Sequence, residues 1–548
     1  MAYSILPRPK RSQTENRQFT FDTLRIFTVG NGDAFARTLK ALMPNIKTEA
    51  ADREHANVIL SVAPVFSCKN EYCALRILPD RMEIRCHDEA GARNAACLLA
   101  QIIEDNRIPC GSIEDWPDAS YRSFMLESSG RSWLSMERIY LYIRQMALAR
   151  MNDLQFHFME APGCTIELDC YPDMHGFGPD NLKYTKDEIR AMVAYAAELG
   201  ITVTPFVEVI SHSFVFNKAA DIACPGDRDE NMFAVCVGQD KTFEAIEKVL
   251  TEVADLFPAP ILHIGGDEYD MSEVTPRTVH WGQCPHCQAL SEKMGFTTYR
   301  ELFIYAVERV NRIVNKLGKV SMLWNADLKP GALPELLERN IIIHYYRPDN
   351  SLCKEKIFGL SMDGYAEEGF TVVNSSYRQT YLDKYVNTDR LSSWGYDSDP
   401  RVSPENQAAI LGGCCCAWDA SRHFERSIPP AIFLFADRLW HSFGKPTRYD
   451  EAFGRRLTQL LFDGKLPADM NVFDAVGDVL PPLNLKEDEL FHARKLIAPV
   501  SELERIHAAL SSLEHPLAAP YTEIAAAALA YQKAKTDTLK TTSEEFDG

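Results

Sequence analysis

Positive charge is the first thing this chain is short of. Its 58 Lys and Arg face 77 Asp and Glu, a formal net charge of −19 over 548 residues. Phosphate-rich partners are bound by Lys and Arg, so the balance argues against nucleic acid and against an anionic membrane surface. Long hydrophobic runs are missing too. No uninterrupted apolar stretch reaches the roughly 18 residues of a membrane-spanning helix. The opening MAYSILPRPKRSQTENRQ has no apolar segment of signal-peptide length. The pattern of a small disulfide scaffold is absent: 15 cysteines, an odd number, are scattered along a large chain. Reduced thiols and a cytoplasmic protein are therefore expected. Neither an internal repeat nor a low-complexity tract is visible.

What is present is ordinary globular composition, 46% hydrophobic and 25% charged, in a chain long enough for roughly two to four domains. Residues 1–115 read as a small α+β domain. CALRIL (Cys73–Leu78) and MEIRC (Met82–Cys86) are short strands joined by the turn Pro79-Asp80-Arg81, a hairpin. Asp88 stands as the N-cap of a helix whose apolar positions run from Ala92 to Ile103.

Residues 118–445 alternate between apolar runs and amphipathic stretches. Eight strands are expected: Arg122–Ser128, Asp153–Met159, Thr202–Val209, Ile261–Gly266, Val320–Asn325, Ile341–Tyr346, Phe370–Ser376 and Ala409–Trp418. They are rich in Val, Ile, Leu and Phe with little alternation, as in strands covered on both faces. Thr185 and Glu188 form a capping box, Gly200 ends that helix, and Asp240 caps the next. Eight strand–helix units over about 320 residues fit an α/β fold of the (β/α)8 TIM-barrel type. The alternative, a doubly wound open sheet, would carry a Gly-rich phosphate loop after its first strand, and none is there. Residues 446–548 are rich in Ala and Leu and read as a helical C-terminal region.

The fourth strand raises the chemical question. ILHIGGDEYD (Ile261–Asp270) runs into two glycines and then two adjacent acids, Asp267 and Glu268. Neighbouring side chains on a regular strand point to opposite faces. Gly265 and Gly266 free the backbone from that pleat, so both carboxylates can face the C-terminal end of the strand, where barrel active sites gather. Two carboxyl groups so close do not ionise independently: one keeps its charge while the pKa of the other rises. The result is an anion beside a general acid, the division of labour of glycosidases. A double-displacement glycosidase holds nucleophile and acid about 5–5.5 Å apart on opposite sides of the sugar. Sequence neighbours approach from nearly one side, which points to a nucleophile from elsewhere. The bland alternative is a strand end with two solvated acids, and Gly-Gly before the pair with His263 in the same run favours function.

HIGGDE (His263–Glu268) resembles the H-x-G-G-D-E signature of glycoside hydrolase family 20, the β-N-acetylhexosaminidases. The resemblance runs from the small α+β domain through the barrel. It implies that the nucleophile is the sugar's own 2-acetamido oxygen, giving an oxazolinium intermediate and net retention with no cofactor and no metal. Glu268 would protonate the leaving oxygen and later activate water, while Asp267 would orient the acetamido N–H. Other motifs match in barrel order. YRSFMLESSGR resembles the first-strand motif with a hydroxyl-binding arginine, here Arg122. DLQFHFME keeps His157 but has Glu160 where the family usually has Asp. TPFVEVISH keeps Pro205 and His212 and departs at Phe206, Glu208, Ile210 and Ser211.

MLWNAD offers Trp324 as one wall of the acetamido slot. The next wall, usually tryptophan, falls on Tyr345 or Tyr346, with Tyr345 as the candidate. YLD gives Tyr381 as donor to the acetamido oxygen and Asp383 as holder of a ring hydroxyl. CAWDA gives Trp418 as a pocket wall, but Ala420 stands where the family has the glutamate that grips the 4-hydroxyl, and Asp419 replaces it only if the loop shifts. Trp394 is a further contact candidate.

The resemblance implies an exo-acting hydrolase that removes terminal non-reducing β-linked GlcNAc or GalNAc from an oligosaccharide or glycoconjugate. The alternatives are a relative that releases a disaccharide and a sugar-binding barrel without catalysis. Ala420 keeps the second open, and the intact Asp267-Glu268 pair counts against it. A metal-dependent barrel hydrolase would show an H-x-H motif near the first strand, which is absent. HWGQCPHC offers Cys284 and Cys287, with His280 and His286, as zinc ligands. A zinc site usually draws on a second pair, and none is evident along the chain, so an ordinary reduced loop is expected. Cys414-Cys415-Cys416 reads as small residues packing within a strand.

Overall fold

The structure is a computed structural model. It describes residues 3–441 apart from short stretches, the longest being 226–233, 269–279, 348–359 and 383–390, and then 500–512 with parts of 519–534. The chain divides into two compact units, Met1–Ser421 with Ala431–Phe453, and Arg422–Pro430 with Gly454–Gly548. No helix among the described residues is long and apolar enough to cross a membrane.

The first unit begins with a seven-stranded mixed sheet. Its strands are β1 (Arg11–Thr20), β2 (Leu24–Val29), β3 (Thr48–Ala50), β4 (Val58–Val62), β5 (Cys73–Ile77), β6 (Met82–Cys86) and β7 (Arg107–Asp115), in the order β1-β7-β5-β6-β4-β2-β3. The expected hairpin is β5–β6, antiparallel and closed by the Leu78 N–H on the Arg81 carbonyl at 2.8 Å. Helices α1 (Asp33–Leu42) and α2 (Glu89–Ile102) cover the sheet. Asp88 caps α2 by accepting from the Gly91 N–H at 2.7 Å.

The barrel follows. Its eight parallel strands are β8 (Tyr121–Glu127), β9 (Asp153–Glu160), β11 (Thr202–Val207), β12 (Ile261–His263), β13 (Val320–Trp324), β14 (Ile342–Tyr345), β15 (Thr371–Asn374) and β16 (Ile410–Ala417), while the short β10 (Gly163–Cys164) folds back on β9. The first strand pairs with both β16 and β9, which closes the cylinder. All eight expected strands form, most a residue or more shorter than their apolar runs. The fourth is the most curtailed, because Gly265 and Gly266 take φ of +70° and +87° and break the pleat early.

Helices α3 (Met136–Leu148), α4 (Lys186–Glu198), α5 (Phe214–Ala220), α6 (Asp240–Leu256), α7 (Pro285–Met294), α8 (Tyr299–Lys316), α9 (Met362–Glu367), α10 (Tyr377–Thr380) and α11 (Phe424–Trp440) connect and follow the strands. The capping box Thr185–Glu188 is present, and Gly200, at φ +75°, lies just past α4. Asp240 is not a cap. It is the first residue inside α6, with Gln239 before it, and its carboxylate pairs with Arg309 at 2.9 Å. In the second unit, α12 (Val500–Ser511) buries Leu503, Ile506 and Leu510 along one stripe.

Strand parity decides which side chains reach the barrel interior. Register pairs Ser123 with Asp153 and Trp324 with His344. At the N-terminal end Asp153 accepts from Tyr121, Ser123 and Thr204 hydroxyls at 2.6–2.7 Å. Burial raises the Asp153 carboxyl to about 6, and those three donors oppose the rise. At the C-terminal end the interior turns aromatic, with His157, Phe206, His263 and Trp324 in ring contact.

Candidate active site

The mouth of the barrel is built where β11 and β12 stop. Beyond β12 the chain needs two glycines for a steric reason as well as a conformational one. A Cβ on Gly265 would fall 1.8 Å from Glu208 Oε2, and one on Gly266 would meet Leu323 at 2.5 Å. The space left is used: the Gly266 N–H donates to Glu208 Oε2 at 3.0 Å, and the Gly265 N–H donates to His263 Nδ1 at 3.1 Å. His263 therefore carries its proton on Nε2, which faces His344 Nδ1 at 3.0 Å. Burial, with the His344 and His157 rings beside it, holds His263 well below the usual imidazole range, so it is neutral. Burial also lowers His344 to about 3.

After the glycines Glu268 sits at φ +54°, and both acids end up against one histidine. His212 Nε2 lies 3.9 Å from Asp267 Oδ1 and 3.6 Å from Glu268 Oε2, while its Nδ1 is 2.9 Å from Glu160 Oε1. His212 itself occupies a left-handed conformation, φ +50°, after β11. The Ser211 hydroxyl ties the two loops together by donating to the Asp267 carbonyl at 2.6 Å.

Arg347, just past β14, reaches Glu268 Oε1 at 3.1 Å. Its backbone is fixed by Asn325 at the end of β13. Asn325 Oδ1 accepts from the N–H groups of Tyr346 and Arg347, and Asn325 Nδ2 donates to the Arg347 carbonyl.

The electrostatics follow from this crowding of acids. Burial alone would lower His212, but the charge of Asp267 and the hydrogen bonds of Glu160 and Glu268 outweigh it and hold the imidazolium well above its ordinary range. Burial raises Asp267 to about 6; His212 opposes the rise, and Glu268 and Glu160 add to it. Glu208, which accepts the Gly266 N–H, is pushed well above the carboxylate range by burial and then by Asp267, with His212 opposing the rise. The Tyr381 phenol is also raised, by burial, by Cys416 and Tyr346, and by the nearby charge of Asp267.

Aromatic rings border the acids. Tyr346 stacks on Tyr381 with centroids 6.3 Å apart and planes 9° from parallel. Tyr381 meets Trp418 at 5.8 Å, and Trp418 meets Trp324 at 5.9 Å. Trp324 is wholly buried and lies flat on His344 at 4.0 Å. His157 packs between Phe206 and the edge of Trp418. Asp267, Glu268, His157, His212, Trp324, Tyr381 and Trp418 are thus brought to one end of the barrel.

Three expected residues are not. Arg122 sits at the N-terminal end of β8 and points outward, because its neighbour Ser123 takes the inward position. Its guanidinium forks onto Glu71 at 3.0 and 2.7 Å and onto the carbonyls of Ala119 and Arg150. It joins the small domain to the barrel and is remote from the acid pair. Tyr345 is also outward, edge-on to Tyr365 of α9, and the inward ring is Tyr346. Trp394 is buried, stacked on Phe435 of α11 at 4.8 Å behind Gly413. Asp383, Asp419 and Ala420 lie outside the described residues.

Sequence reasoning missed Arg347, Asn325 and the partnership of Glu160 with His212. Two consecutive tyrosines followed by arginine at a strand end was the available signal. It also found no second cysteine pair for Cys284 and Cys287. The structure supplies one, Cys224 and Cys236, with all four sulfurs within 4.8 Å of one another.

A closed parallel barrel with a carboxylate pair and an aromatic border at its C-terminal mouth defines a glycoside hydrolase. Residues 120–442 match the model of the glycosyl hydrolase family 20 catalytic domain, and residues 2–116 match that family's domain 2. The chain belongs to glycosyl hydrolase family 20. It is 25% identical over 464 residues to a beta-hexosaminidase of Vibrio furnissii, covering 76% of this chain and 72% of that one. The structure resembles the beta-N-acetylhexosaminidase of Bacteroides fragilis NCTC 9343 with a TM-score of 0.71 and 24% identity, over 84% of this chain and 95% of the other. An exo beta-N-acetylglucosaminidase of Vibrio harveyi, solved with N-acetylglucosamine, aligns with a TM-score of 0.70 and 21% identity, over 85% and 78% of the two chains.

Proposed function

We propose that the chain is a retaining exo-β-N-acetylhexosaminidase that uses the acetamido group of its substrate as nucleophile. One observation carries this reading. Asp267 and Glu268 converge on the same nitrogen of His212, at 3.9 and 3.6 Å, and so stand on one side of the site. Among the described residues the other acids at this end are engaged elsewhere, Glu127 on the Ser129 N–H and hydroxyl, Glu160 on His212 Nδ1 and Glu208 on the Gly266 N–H. That arrangement offers a proton donor and an orienting anion, and the attacking oxygen comes from the sugar.

In the first step the Glu268 carboxyl gives its proton to the glycosidic oxygen as the acetamido oxygen bonds to the anomeric carbon. The carboxylate left behind is the form that Arg347 and His212 hold, ready to take a proton from water in the second step. Asp267, ionised, accepts from the acetamido N–H and faces the positive charge that grows on the ring being formed. The Tyr381 hydroxyl donates to the acetamido oxygen. Tyr346, Tyr381 and Trp418 offer apolar surface to the sugar face and the methyl group.

The test is turnover of paired aryl β-glycosides. N-acetyl-β-glucosaminide or N-acetyl-β-galactosaminide should be cleaved orders of magnitude faster than the matching β-glucoside, which lacks the intramolecular nucleophile. Comparable rates, or binding without turnover of either N-acetyl sugar, would overturn the proposal.

A further inference from the structure

A second cluster lies away from the acids, in the segments that follow β11 and β12. Cys224 comes just after α5, Cys236 just before α6, and Cys284 and Cys287 at the start of α7. All four are buried and unoxidised. Their sulfurs stand 3.5 Å apart for Cys236–Cys284, 3.8 Å for Cys236–Cys287 and 4.0 Å for Cys224–Cys287. A tetrahedron of thiolates at the usual zinc–sulfur distance of ~2.3 Å has edges of about 3.8 Å, so these spacings are those of a coordination shell. They do not suit disulfides. Cys236 is nearly equidistant from two partners, whereas a disulfide selects one at about 2.05 Å.

The surrounding chain is built to hold this shape. Cys284 is the N-cap of α7 with Pro285 behind it, and Cys287 lies in the first turn. Thiolates there meet the positive end of the helix dipole. The loop bearing Cys236 comes into backbone contact with this knuckle. A Cβ on Gly238 would fall 2.3–2.5 Å from the main chain of His286 and Cys287. Trp281 Nε1 donates to the Val235 carbonyl at 2.8 Å, and the Thr242 hydroxyl donates to the Cys236 carbonyl at 2.6 Å. His286 is exposed and takes no part.

We infer that Cys224, Cys236, Cys284 and Cys287 bind one Zn2+ in a closed structural site that clips the loop after β11 to the loop after β12. Binding replaces four S–H protons by four S–Zn bonds, so up to four protons leave as the metal enters. Four thiolates leave no open position for water, so the metal does no chemistry on the substrate. Its effect is mechanical. The Val235 N–H donates to the Ile210 carbonyl at 3.0 Å, two residues from His212, and the loop after β12 carries Asp267 and Glu268.

The test is elemental analysis of the full chain, purified without chelator under reducing conditions from zinc-replete medium. About one zinc per chain is expected, set free as an organomercurial forms Hg–S bonds with the four cysteine sulfurs. Exchange with Co2+ should give the sulfur-to-cobalt charge-transfer and intense visible bands of a tetrahedral tetrathiolate, with kcat within about twofold of the zinc form. Cys224→Ser or Cys236→Ser should abolish stoichiometric zinc, while Cys68→Ser, away from the cluster, retains it. If the serine variants fail to fold, metal content of the unmodified chain still decides. Metal-free folded protein, stoichiometric iron in place of zinc, or disulfides joining these cysteines in the reduced preparation would each overturn the assignment.

Discussion

Two ends of the same barrel bury charge in opposite ways. At the N-terminal end three arginines each meet an acid of their own. Arg122 forks onto Glu71, Arg150 pairs with Asp115, and Arg8 with Asp437. The Trp440 ring lies beside both guanidiniums of Arg122 and Arg150, and its N–H donates to Asp115 at 2.7 Å. At the C-terminal mouth three acids, Glu160, Asp267 and Glu268, crowd His212, Arg347 reaches only Glu268, and Glu208 is buried beside them. Matched charges fix a domain junction. A surplus of one sign leaves protons shared and pKa values displaced, which is what acid–base chemistry requires.

The largest effect should separate the ends by activity. Glu268→Gln is expected to lower kcat about 10²–10⁴-fold on substrates with poor leaving groups, least on activated aryl leaving groups, with little change in unfolding free energy. Equal losses across leaving groups would remove Glu268 from the proton-transfer role. Its counterpart at the other end is Arg150→Met. Leaving Asp115 buried without its cation should cost about 3–5 kcal/mol in chemical denaturation, with kcat per folded molecule unchanged. A stable variant would mean the paired end is not the structural one.

The pH dependence of Asp267 sharpens the contrast. Its carboxyl rises from 3.8 to about 6 on folding, so its neutral form is favoured in the folded state. That stability is fully present below pH ~4 and is lost as pH climbs through about 6. Asp267→Asn should therefore gain stability over wild type at pH 8 relative to pH 4, by at most about 3 kcal/mol at ~1.4 kcal/mol for each pH unit. The same ionisation should set the acid limb of kcat/KM in the wild type near pH 6. A stability difference independent of pH would contradict the buried, acid-crowded setting. The smallest effects test strand parity. Tyr346→Ala should raise KM about tenfold, and Tyr345→Phe should leave it within about twofold.

Much of this was legible in the sequence because periodicity and glycine carry physical constraints. Eight apolar runs became eight barrel strands, and the glycines before Asp267 proved necessary both for their positive φ and for the passage of Glu208. Parity was harder to see. Adjacent residues such as Tyr345 and Tyr346, or Arg122 and Ser123, differ only in which face a register assigns them, and one residue of slip exchanges the two. The motif around Arg122 resembles a sugar-binding one, yet the position of Arg122 at the strand's N-terminal end puts it on Glu71 of the small domain. Cys224 and Cys236 were invisible as partners of Cys284 and Cys287 because the barrel crossover, not local spacing, brings them together.

The proposed reaction turns on the substrate's own amide as nucleophile. Aryl glucosaminides carrying acetyl, fluoroacetyl, difluoroacetyl and trifluoroacetyl groups test it directly, since each fluorine weakens the carbonyl oxygen as an attacking group. kcat/KM should fall steeply and progressively along that series, and a flat series would contradict the mechanism.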